Sequence, residues 1–152
     1  MQRRTRKEDL ETGKQNERII KDTLERVFGY ELTKDPEETA AIDFYNADRT
    51  LWVETKRRLL NHDDHPTAIV SKHKANHCRD PSCEYYFTWV YNDGLWGVKY
   101  DAEFWSGYEV KMYKRNDRED HCQELKPHIF VPREHLVLLA APTSRGGGHP
   151  FG

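Results

Sequence analysis

The strongest constraint in this sequence is a pair of aromatic and β-branched runs, Glu84–Tyr91 and Leu95–Tyr100, split by Asn92-Asp93-Gly94. Asn, Asp and Gly tolerate the positive φ of tight hairpin turns, so the two runs are predicted to pair as antiparallel strands. Such a hairpin must bury its aromatic side chains, and the chain offers little to bury them with. Hydrophobic residues make up 36% of the 152 and charged residues 33%, which suits one domain with a small core. An aromatic share of 12% argues against a disordered chain. No run approaches the ~18 apolar residues of a membrane span. Met1–Asp9 is charged where a secretory leader would be apolar, and the three cysteines form no disulfide ladder. The expectation is an intracellular soluble domain, cytoplasmic or nucleoid-associated, with no membrane partner. No internal repeat is visible.

The remaining pattern is α, then several strands around one helix. Gln15–Phe28 carries Ile19, Ile20, Leu24, Val27 and Phe28 at helical spacing, with Thr12 as N-cap and Gly29 as C-cap. Strands are predicted near Tyr30–Thr33, Ala41–Tyr45, Leu51–Lys56, Tyr108–Tyr113, His128–Val131 and Val137–Leu139, with a turn at Pro132–Leu136. Residues 34–40 read as a polar loop and residues 114–126 as a charged excursion. Thr67–His77, entered after Pro66 and carrying Ala68, Ile69 and Ala75, reads as a second helix. The expected organisation is a flexible basic arm at 1–10, a single mixed α/β (α+β) domain at 11–142 and a Gly-rich disordered tail at 143–152.

Charge is segregated behind a formal net charge of −2. Arg3, Arg4, Arg6 and Lys7 open the chain, Glu31 to Asp48 is acidic, and residues 56–79 are basic and rich in histidine. An acidic patch between basic flanks suits a metal site that handles phosphates, although a solvated surface has the same composition.

The chemistry concentrates at 41–56. With an even loop centred between Asp48 and Arg49, Tyr45 pairs with Trp52 and Asp43 with Glu54. Alternation then puts Asp43, Tyr45, Trp52, Glu54 and Lys56 on one face, and Ile42, Phe44, Leu51, Val53 and Thr55 on the other, against the first helix. Two carboxylates directly opposite repel, and a divalent cation is the simplest compensation. The plainer reading is a surface hairpin in which Lys56 screens the acids. Tyr45 and Trp52, if open to solvent, could stack on bases.

The run from Gly13 to Arg58 resembles the PD-(D/E)XK nuclease superfamily, in particular its Holliday-junction-resolvase-like branch. The likeness rests on Gly13-Lys14-Gln15-Asn16-Glu17 on the helix, its close at Gly29-Tyr30, then Ala41-Ile42-Asp43 and Glu54-Thr55-Lys56. Ile42 replaces the proline of the family pattern, and Thr55 stands where an apolar residue is usual. The resemblance implies a restriction-endonuclease-like core, a central mixed sheet flanked by helices. It further implies an Mg²⁺-dependent endo- or exodeoxyribonuclease acting in DNA replication, repair or recombination, with Mn²⁺ able to substitute. Asp43, Glu54, the Thr55 carbonyl and Glu17 would hold the metal, and Lys56 would assist catalysis. A basic residue of the next helix, Lys74, would look back at the site. Arg57, Arg58, Lys72 and Lys74 would hold the DNA backbone, and a stand-alone chain of this size suits a homodimer.

Two other readings belong to different classes. One is a catalytically silent nuclease-fold module that binds nucleic acid or a partner protein. The other is a zinc-stabilised interaction domain built on His73, His77, Cys78 and Cys83, whose spacing is not a usual finger pattern. His121-Cys122 adds little to it. No P-loop, G-x-S-x-G or dinucleotide fingerprint occurs.

Overall fold

The computed structural model describes residues 6–36, 42–114 and 125–142. The predicted tail at 143–152, residues 115–124 of the charged excursion, with His121 and Cys122, and Met1–Thr5 of the arm lie outside the described residues. In chain order the elements are α1 (Arg6–Phe28), β1 (Leu32–Lys34), β2 (Phe44–Asn46), β3 (Leu51–Arg57), β4 (Thr67–Ser71), α2 (Lys72–Asn76), β5 (Glu84–Tyr91), β6 (Gly94–Lys99), α3 (Ala102–Trp105), β7 (Glu109–Tyr113), β8 (Lys126–Pro132), a 3-10 turn (Arg133–His135) and β9 (Val137–Ala140). The class is α+β.

The hairpin turn forms at Asn92-Asp93 with Tyr91 paired to Gly94, but of the three turn residues only Gly94 takes positive φ. Gly94 has φ +131°, and a Cβ there would lie 2.8 Å from the Ala140 carbonyl, so the close approach of β9 admits only glycine. The hairpin sits inside a six-stranded sheet of order β1-β2-β3-β5-β6-β9, antiparallel except for β3 against β5. A parallel pair needs a long crossover, and the segment between Arg57 and Glu84 supplies it.

One face of this sheet packs on α1: Leu24 joins Phe44, Leu51, Val53, Val90 and Leu95, with Ile20, Val27 and Phe28 at the margin. Gly29 ends the helix at φ +76°, its N–H donating to the Glu25 carbonyl at 2.8 Å, as expected of a C-cap. The helix begins at Arg6, so Thr12 lies within it and is not its N-cap, and residues 6–10 are helical rather than part of an arm.

The opposite face is covered differently from expectation. Thr67–Ser71 is a strand, not the first half of a helix, and only Lys72–Asn76 is helical. The β-branched Thr67, Ile69 and Val70 favour extended backbone. Pairing with β8 buries Ala68 and Val70 on alternate positions, which the helical spacing of Ala68, Ile69 and Ala75 concealed. The strands β4-β8-β7 form a second, antiparallel sheet. Its Ala68, Val70, Ile129 and Val131 pack with Phe87 and Trp89 of the main sheet, so this face is covered by a sheet as well as by short helices.

Candidate active site

The β2–β3 hairpin is held in register by one buried residue. Asn46 Oδ1 accepts from the backbone N–H groups of Thr50 (2.9 Å) and Leu51 (3.0 Å), and its Nδ2 donates to Thr50 Oγ1 (3.0 Å). The turn places Arg49 at φ +57°, and Phe44 pairs with Val53 and Tyr45 with Trp52. This is the predicted register, and just before the paired residues Asp43 lies close enough to β3 to accept from the Thr55 N–H. Ile42 departs from the predicted face: it joins Phe87 and Trp89 rather than α1. Regular pairing begins only at Phe44, so strand alternation does not extend back to residue 42.

Glu54 is the centre of the site. It is 2% exposed, on β3 between β2 and β5, beside Phe87 in the parallel register. Its backbone carbonyl accepts from Thr88 Oγ1 at 2.9 Å, which fixes β3 against β5. Oε2 is ion-paired with the Lys74 ammonium, whereas Oε1 is buried with no hydrogen-bond partner. Burial raises the Glu54 carboxyl from 4.5 to about 7; the Asp43 charge adds to the rise, and Lys74 opposes it. The Asp43 carboxylate is anchored alongside, its Oδ2 accepting from the Thr55 N–H at 3.3 Å.

Lys74 reaches Glu54 because α2 starts directly from the end of β4, and Lys74 is half-buried. It therefore stands in the site as a counter-ion, as expected of a residue looking back, and not among the outer basic flank. Lys56 follows Glu54 on the same face, opposite Trp89 of β5. Between Glu54, Lys56, Ser71 and Lys74 lies a cavity of about 10 Å³, room for about one water or ion. A buried carboxylate oxygen with a second carboxylate and the Thr55 backbone close by is an oxygen donor set of the kind hard divalent cations use, while the small cavity itself is lined by Lys56 and Lys74 and not by Asp43.

Other predicted residues fall elsewhere. Glu17 is exposed on α1 and ion-paired with Lys34 of β1. Tyr45 and Trp52 pack on each other with ring centroids 5.2 Å apart, and Arg49 lies 4.8 Å over the Tyr45 ring. Arg57 and Lys72 are exposed, and Arg58 is half-buried. The four candidate zinc ligands do not converge. Cys78 Sγ donates to the Lys74 carbonyl (3.6 Å), Cys83 Sγ to the Arg49 carbonyl (3.3 Å), and His73 and His77 stack edge to face in solvent. Burial, then the Glu54 charge, pushes the Cys78 thiol up to about 12, which keeps it protonated. Among the described residues, the trio of His, Cys, Asp or Glu with ligand atoms gathered within 4.8 Å is His62, Asp63 and Asp93.

Sequence reasoning missed a cleft of about 440 Å³ that adjoins Glu54 through the shared residues Lys56, Ile69 and Trp89. Its walls bring together residues from the 56–69 segment, which runs from β3 into β4, and from β5, β7 and β8. The histidine-rich stretch from residue 62 was the one available signal. No family model matches the chain, and no curated protein sequence matches it. No described helix is long and apolar enough to cross a membrane.

Proposed function

We propose that this chain is a metal-dependent nuclease of the PD-(D/E)XK type, hydrolysing phosphodiester bonds in DNA on a restriction-endonuclease-like core. The observation that carries the reading is the buried, unpartnered Oε1 of Glu54, set beside Asp43 on a hairpin that continues into Lys56. Burying a carboxylate without satisfying it is costly, and a fold that does so needs a use for it.

Asp43, Glu54 and the Thr55 carbonyl would hold Mg²⁺, with Mn²⁺ able to substitute. When bound, such an ion supplies positive charge that polarises a phosphate and lowers the pKa of water. Lys56 places its ammonium on the same face, where it orients the attacking water and offsets the charge that builds on the phosphate oxygens. Lys74 neutralises Glu54 in the free protein and holds the carboxylate in place. Exposed Arg57 and Lys72, with Arg58, would contact the DNA backbone. Glu17, committed to Lys34, would act on the metal only by leaving that partner.

The decisive experiment is cleavage of labelled linear, flapped, bubbled and four-way DNA with Mg²⁺ or Mn²⁺, against a chelator control. Cleavage that requires metal and is lost in Asp43→Asn and Glu54→Gln supports the assignment; metal-independent or absent cleavage refutes it. The Lys74–Glu54 ion pair also favours a second reading, a silent nuclease-fold module in which Lys74 occupies the place of a cation. That module would bind DNA with steep salt dependence yet gain no stability from Mg²⁺.

A further inference from the structure

The cleft beside Lys56 has a composition that the cleavage chemistry alone does not require. Lys56, Arg58, His65 and His128 contribute basic side chains to it, the lining His62 ring is ion-paired with Asp93, and among its described lining residues there is no carboxylate. Trp89, Tyr91 and Tyr113 contribute aromatic surface. Trp89 and Tyr91 are buried as its floor, while Tyr113 is 37% exposed at the mouth, its ring 5.3 Å from His128. An anionic ligand with a flat apolar part matches such walls: phosphate for the basic side, a base for the aromatic side.

The rim is preformed. The 58–64 segment is tied to the β5–β6 hairpin by Arg58 N–H to the Val90 carbonyl (2.9 Å), Asn92 N–H to the Leu60 carbonyl (2.9 Å) and His62 N–H to Asp93 Oδ1 (3.0 Å). The His62 ring stacks flat on Trp96 with centroids 3.5 Å apart. Across the opening, Arg133 Nη1 donates to the Asp63 carbonyl at 2.6 Å. His128 Nδ1 meets the Lys126 carbonyl at 2.8 Å, which puts a proton on that nitrogen and fixes the ring. Little ordering is left for a ligand to impose.

We propose that this cleft seats one unpaired nucleotide of the scissile strand, its base against Tyr113 and its phosphate among Arg58, His65 and Lys56. A volume of about 440 Å³ is that of a small-molecule pocket and accepts one unstacked nucleotide rather than a base-paired step. Because Lys56 lines both this cleft and the Glu54 cavity, a nucleotide seated here hands its neighbouring phosphate to the carboxylate pair. The inference rests on the nuclease reading for its direction, but the cleft itself can be tested without cleavage.

The test titrates thymidine 5′-monophosphate, thymidine and inorganic phosphate into the protein with a chelator present, following tryptophan fluorescence and backbone amide shifts. The monophosphate should bind at least tenfold more tightly than thymidine or phosphate alone, with shifts clustered at residues 58–66, 89–91 and 128. Tyr113→Ala and Arg58→Ala should each weaken it about tenfold, the scale of one stacking or one charged contact. Tyr113 is a surface residue, so its variant keeps the fold even if Arg58→Ala does not. Phosphate binding as tightly as the nucleotide, or a nucleotide affinity unchanged in Tyr113→Ala, overturns the proposal. Since no metal is present, loss of nucleotide binding leaves metal-dependent cleavage to stand or fall separately. Absent cleavage, conversely, leaves the binding result intact.

Discussion

Replacing Glu54 by Gln separates the cost of a buried charge from every other contact in the site. In the folded protein the carboxyl sits at about 7 against 4.5 ordinarily, because burial disfavours its charge more than Lys74 restores it. The folded state therefore holds this proton more tightly than the unfolded chain does. Below about 4.5 both states carry the proton and the side chain imposes no charge penalty. Between about 4.5 and 7 the penalty grows with pH, and above 7 it saturates. At about 1.4 kcal/mol per pH unit, the interval amounts to about 3 kcal/mol of stability lost by wild type and not by Glu54→Gln. The Lys74 ion pair forms only as Glu54 ionises and is already contained in the value of about 7, so it adds no separate slope. Urea unfolding from pH 4.5 to 8.5 with a chelator present measures the difference. A stability difference between wild type and variant that stays flat across this range refutes the claim that Glu54 is held uncharged by burial.

Three further outcomes follow from the same geometry. Lys74→Met should destabilise the protein by about 1 kcal/mol more at pH 8 than at pH 5, because the Glu54 carboxyl, already at about 7 in wild type, rises further and takes up a proton instead of staying charged; paired chemical melts at the two pH values measure the difference. Mg²⁺ should raise the melting temperature of wild type but not of Asp43→Asn, and equal shifts in the two proteins would place the ion elsewhere, with His62, Asp63 and Asp93 the first group to examine. Lys56→Ala should lower the single-turnover cleavage rate by about a hundredfold or more while DNA affinity changes only a few-fold, because its charge matters most as the phosphate becomes more negative; lost affinity at an unchanged rate would make Lys56 a phosphate clamp.

What was readable in the sequence was local. The β2–β3 register followed from alternation and the short Asn46–Thr50 connection, and the structure adds the reason: Asn46 binds the turn backbone from a buried position. The β5–β6 hairpin was equally plain, since Gly94 meets a steric demand that Asn92-Asp93-Gly94 announces. What failed was non-local. A five-residue strand and a five-residue helix in succession, β4 and α2, mimic one helix when read by apolar spacing, and only pairing with β8, more than fifty residues later, settles which is which. The cleft was invisible for the same reason, because its basic and aromatic walls come from four separated segments. Thr12 failed because helix α1 extends upstream through polar residues that leave no apolar period to read.

The burial of Glu54 links the cation to the proton in a way that an exposed carboxylate pair would not. A divalent ion binds the ionised carboxylate, so below about 7 its entry must first expel a proton from Glu54. Affinity for Mg²⁺ should then rise about tenfold per pH unit up to about 7 and level off above it, with close to one proton released per ion bound at pH 6. Lys74 sharpens the argument. It already occupies Oε2, so the ion must use Oε1, the oxygen that the fold leaves without a partner. Calorimetry in two buffers of different ionisation enthalpy counts the protons directly. In Lys74→Met the opposing positive charge is gone, so the carboxyl rises further and the levelling-off should move to higher pH. Affinity that stays constant from pH 5.5 to 8, with no proton released, would mean that the ion does not bind Glu54, and Asp43, Glu54 and Lys74 would then be a structural ion network.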